Sequence, residues 1–78
     1  MIKYKFDNLN GGLTIEPTSV DWIFAGFGKD GKLVIDVELK TERVNFVVQL
    51  TTNGEAKDRS DEDIAVLMNE LLKPYEVN

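Results

Sequence analysis

Ile2, Tyr4 and Phe6 alternate with Lys3, Lys5 and Asp7, and Leu13 and Ile15 alternate with Thr14 and Glu16. A period of two marks a strand with one apolar face, so the chain opens on two short strands. Between them, Asn8-Leu9-Asn10-Gly11-Gly12 supplies residues that tolerate positive φ. That favours a hairpin with Phe6 opposite Leu13 and Tyr4 opposite Ile15. Pro17 has no N–H to give to a ladder, and with Thr18 and Ser19 it forms the turn that ends the hairpin.

Val20 to Phe27 is rich in aromatic and β-branched residues and runs into Gly28-Lys29-Asp30-Gly31-Lys32. A two-residue Asp30-Gly31 turn would pair Phe27 with Val34, Phe24 with Val37 and Trp22 with Leu39. Under that register one face of the sheet receives Trp22, Phe24, Ile35, Val37 and Leu39. The other receives Ile23, Ala25, Phe27, Val34, Asp36 and Glu38. Val44 to Leu50 then returns as a third strand after Lys40-Thr41-Glu42-Arg43, with Leu39 beside Val44, and it adds Asn45, Val47 and Gln49 to the second face. Thr51-Thr52-Asn53-Gly54 has the composition of a turn and closes the sheet.

Three signals make the last element a helix over residues 61–73. Ser60 is an N-cap followed by Asp61-Glu62-Asp63 in the positive first turn. Ile64, Leu67, Met68, Leu71 and Leu72 follow the spacing of one helical stripe, and Lys73-Pro74 stops it. The expected fold is therefore a single small α+β domain spanning residues 1–78. Its antiparallel sheet, an N-terminal hairpin plus a three-stranded meander of about five strands in all, packs on one C-terminal helix.

Composition narrows the chemistry. Among 78 residues there is no histidine and no cysteine, which removes thiolate and imidazole metal sites, thiol catalysis and the Ser-His-Asp triad together. An apolar share of 42% beside 29% charged residues is that of a folded chain. The longest apolar run, Trp22 to Phe27, is far short of the roughly twenty residues that cross a bilayer. With no secretory pattern at the N-terminus, the expectation is a cytoplasmic protein with no membrane partner.

The net charge of −5 is concentrated: residues 55–70 hold six acids against Lys57 and Arg59, whereas residues 1–54 are nearly balanced. Lysine pairs such as Lys3 with Lys5 and Lys29 with Lys32 are too sparse for a phosphate-binding face, so direct nucleic-acid binding is not expected. Asp58, Asp61, Glu62 and Asp63 lack the central glycine and alternate spacing of a calcium loop, and helix capping accounts for three of them; no metal and no cofactor is expected. Asp36 and Glu38 stand about 6.6 Å apart along a strand, but no nucleophile or base accompanies them, and an enzyme is not expected.

The second sheet face carries the functional expectation. One helix cannot cover both faces: either the N-terminal hairpin folds over the second face to make a small barrel or sandwich, or Ile23, Phe27, Val34 and Val47, rimmed by Asp36 and Glu38, are the candidate binding residues for another protein. The latter describes a non-enzymatic interaction module of the inhibitor or adaptor kind. The alternative is an acidic mimic of nucleic acid, in which Asp36, Glu38, Asp58, Asp61, Glu62 and Asp63 occupy a basic cleft of a nucleic-acid-binding protein. Like charges on the same face oppose self-pairing. The chain should be a monomer, or a weak homodimer favoured by high salt or by pH below about 4.5.

Overall fold

A computed structural model describes residues 2–7 and 11–77, and Phe24 by its backbone alone. Six strands, one α-helix and a 3₁₀ turn follow one another along the described chain. The strands are β1 (Lys3–Phe6), β2 (Leu13–Ile15), β3 (Ser19–Phe27), β4 (Lys32–Lys40), β5 (Asn45–Glu55) and β6 (Glu76–Val77). The helix α1 (Asp61–Leu71) and the 3₁₀ turn Lys73–Tyr75 lie between the last two. Two antiparallel three-stranded sheets result, ordered β2-β1-β6 and β3-β4-β5, so the architecture is α+β.

The first hairpin has the register that alternation predicts, with Phe6 opposite Leu13 and Tyr4 opposite Ile15. Of its expected connection, Asn8, Leu9 and Asn10 lie outside the described residues. Gly11 and Gly12 do adopt positive φ, 81° and 103°. The predicted strand count omits β6. Pro74 stops the helix as expected, but the chain turns tightly and lays Glu76 and Val77 along β1.

The β3–β4 hairpin departs from expectation in a way that matters for the site. Its loop has three residues, Lys29 to Gly31: Gly28 N–H donates to the Lys32 carbonyl at 2.9 Å, and Gly31 N–H donates to the Gly28 carbonyl at 3.0 Å. Gly31 takes φ 78°, the left-handed residue that closes such loops. Phe27 therefore pairs with Leu33, and Ala25 with Ile35. A slip of one residue reverses faces, so Phe27 and Ala25 move from the expected second face to that of Leu33 and Ile35. A bulge between Trp22 and Phe24 then restores the phase, and Trp22 pairs with Val37 and Val20 with Leu39. The expected inward place of the Phe24 side chain lies outside what is described; its backbone pairs with Asp36.

Between β4 and β5 the register is two residues from the expected one, Leu39 facing Phe46, which leaves every face assignment intact. The Thr-Thr-Asn-Gly segment is not a turn. It continues β5 to Glu55 through an irregularity in which residues 52–54 stand opposite Leu33 alone. Thr52 repairs the ladder there, its buried hydroxyl accepting from Leu33 N–H at 3.1 Å and donating to the Gly54 carbonyl at 2.9 Å.

The core lies between the two sheets. Tyr4, Phe6 and Ile15 pack on Ile35, Val37, Leu39, Val48 and Leu50, with Leu72 closing the end and Trp22, Phe46, Met68 and Leu71 around the margin. The N-terminal hairpin thus covers the first face of the meander together with the helix, which has no fully buried residue of its own. Ser60 caps α1 by accepting from Asp63 N–H at 3.2 Å. No helix among the described residues is long and apolar enough to cross a membrane.

Burial, and secondarily the charge of Glu76 across the β1–β6 pair, pushes the Tyr4 phenol above its ordinary value. In the unfolded chain the phenol ionises near pH 10, so folding holds its proton and stability falls as pH rises beyond about 10. Tyr4→Phe should remove that part of the alkaline loss. Urea midpoints measured between about pH 9 and 11 should decline less steeply in the variant than in the parent.

Candidate functional site

Every other element packs on the inner side of the β3–β4–β5 sheet, so its outer side is the surface left to a partner. Strand alternation builds that surface: β4 buries Leu33, Ile35, Val37 and Leu39 and turns Val34, Asp36 and Glu38 the other way. Val47 sits opposite Glu38 and Gln49 opposite Asp36. At the bulge on β3, Ile23 is the extra residue, 54% exposed, and Val47 is 58% exposed. The structure therefore brings together Ile23, Val34, Val47, Asp36 and Glu38. It does not bring Phe27, which is 45% exposed at the far end of the inner side, beyond the cover of the hairpin.

The polar rim is internally matched. Lys40 Nζ lies 2.7 Å from Asp21 and 3.3 Å from Glu38, and Gln49 Nε2 donates to Asp36 at 3.3 Å. Hydrogen bonds to Asp21 and then Glu38, with their charges behind, raise the Lys40 ammonium above its ordinary value and keep it charged. These carboxylates are tied up in ion pairs and hydrogen bonds on the open sheet surface.

The acidic-mimic set is divided between layers. Asp36 and Glu38 belong to the outer side of β4, whereas Asp61, Glu62 and Asp63 open α1, which packs on the inner side through Met68 and Leu71; Asp58 lies in the turn before it. No group of three or more carboxylates is gathered closely enough to hold a metal ion among the described residues.

Pattern reading misses a second feature, a groove of about 410 Å³ between the end of β5 and α1. Thr51, Asn53 and Glu55 form one wall and Leu67, Leu71 and Tyr75 the other. The apolar stripe of the helix was visible in the sequence, but its incomplete burial was not.

Comparison of the chain with protein-family models, with curated proteins and with solved structures finds no match in any of the three.

Proposed function

We propose that the chain is a non-enzymatic protein-interaction module, a small inhibitor or adaptor, that takes another protein on the outer face of its β3–β4–β5 sheet. One observation carries this reading. The hairpin, helix and last strand all fold onto the same side of the meander, leaving Ile23 and Val47 more than half exposed beside Val34. Water-facing apolar side chains on a rigid, central sheet are the kind of surface that gains free energy when a partner covers it. The surrounding Asp21, Lys40, Glu38, Asp36 and Gln49 supply a polar rim.

Salt separates this reading from acidic mimicry. A partner held by the apolar centre should stay bound when ionic strength rises from about 50 to 200 mM, since screening acts on charges and not on buried apolar area. A partner held by carboxylates in a basic cleft should be released over the same range. Capture of the partner on immobilised protein, followed by a salt step, reads the difference; release by salt would contradict the proposal.

A further inference from the structure

We infer that the groove between β5 and α1 binds an extended peptide in which apolar residues alternate with lysine or arginine, added as a fourth strand to the β3–β4–β5 sheet. Three independent features of the groove point to this occupant. The first is an open ladder. β5 is an edge strand, so the outward N–H and C=O groups of alternate residues have no partner strand among the described residues. Along the groove the edge is open up to Thr51 and Asn53, where a short extended chain can start, while the Gly54 carbonyl is taken by Thr52 and the Glu55 carbonyl by Arg59.

The second is the opposite wall, where Leu67 and Leu71 lie on the apolar stripe of α1 and are only half-buried. An added strand directs every second side chain to one side, so its apolar residues would cover them.

The third is charge. Glu55 lines the groove, Asp58, Asp61, Glu62 and Asp63 follow it along the chain into the first turn of α1, and no salt bridge engages any of them among the described residues. Glu70 is held by Lys73 at 2.9 Å, and Arg59 Nε donates to the Glu55 carbonyl at 3.5 Å. With residues 55–70 at a net −4, an acidic peptide would be repelled and a basic one drawn in. This site is separate from the outer sheet face, so either proposal can fail without the other.

The test is a titration of the isotope-labelled protein with a seven-residue peptide of alternating valine and lysine, followed by amide chemical shifts. Shifts should concentrate at residues 51–55 and 67–75. Replacing lysine by glutamate in the peptide should weaken binding by at least about tenfold, as should Glu55→Lys in the protein. A peptide with proline at alternate positions lacks ladder donors and should not bind. Shifts centred on Ile23 and Val47, equal binding of the glutamate peptide, binding of the proline peptide, or no shifts at millimolar peptide would each overturn the inference.

Discussion

Phe6→Ala is expected to cost the domain a large share of its stability, from about a quarter to all of it. Phe6 has no exposed surface, and its ring centroid lies 4.8 Å from that of Tyr75, tilted by 32°. It sits on β1, the middle strand of the smaller sheet, so its side chain joins the hairpin, the segment after the helix and the inner face of the meander. Truncating a buried phenylalanine costs about 3–5 kcal/mol, the lost transfer energy plus the cavity left behind. A domain of this size has about 4–12 kcal/mol in all. Far-ultraviolet circular dichroism through a urea titration should show the parent's cooperative transition moved to a clearly lower midpoint, by about a quarter or more. A midpoint close to the parent's would mean that the two sheets do not share the core described above.

The second large effect is expected at Gly31. Its φ of 78° costs an ordinary residue about 1–2 kcal/mol, and a Cβ added there would also stand 2.6 Å from Glu55 Cγ. The Gly31 carbonyl meanwhile accepts from Ala56 N–H at 2.8 Å and Lys57 N–H at 3.1 Å, tying the hairpin loop to the chain entering the helix. With the backbone held from both sides, it is the exposed Glu55 side chain that must rotate away, and the crowding part of the cost is what that rotation gives up. Gly31→Ala should therefore lower the melting temperature by more than the about 4–8 °C that each kcal/mol is worth in a domain this small. Gly12→Ala separates the two causes, because Gly12 has φ 103° with nothing within 4 Å of an added Cβ. It should lose only the backbone part, and Glu55→Ala combined with Gly31→Ala should recover the remainder. Equal losses at Gly12 and Gly31 would show that crowding by Glu55 is immaterial.

What could be read from the sequence is what depends on neighbouring residues alone. The register of Tyr4 and Phe6 against Ile15 and Leu13 follows from alternation across a glycine-containing connection, and the start of α1 from Ser60 and the acids after it. The alternation of β4 and of β5 is equally plain, which is why Val34, Asp36, Glu38 and Val47 lie on the open face as expected. Phe27 was misplaced because Asp-Gly suits both two- and three-residue loops, and the choice reverses the strand. The compensating bulge answers that choice and leaves no local mark in the run Trp22-Ile23-Phe24.

Other features were hidden for a different reason. Thr-Thr-Asn-Gly has turn composition, yet Thr52 uses its hydroxyl to carry the ladder past the irregularity. Both faces of β3 are apolar in sequence, so nothing local says which one the hairpin covers. The β5–α1 groove depends on how closely two distant segments approach, and only the folded chain shows it.

The most direct test of the central claim is the double substitution Ile23→Asp and Val47→Asp, followed by thermal unfolding and by capture of the partner that the parent protein retains. Both residues are more than half exposed and face away from the core. Surface changes of that kind cost within about 0.5 kcal/mol each, and the like-charge contact that Val47→Asp makes with Glu38 directly opposite adds up to about 1 kcal/mol, so the variant should still unfold cooperatively from a folded state. Capture, in contrast, should be lost, because two carboxylates would be buried without partners at the centre of the interface. A variant that shows no cooperative unfolding, or one that still captures the partner as the parent does, would contradict the assignment of the outer β3–β4–β5 face as the binding surface.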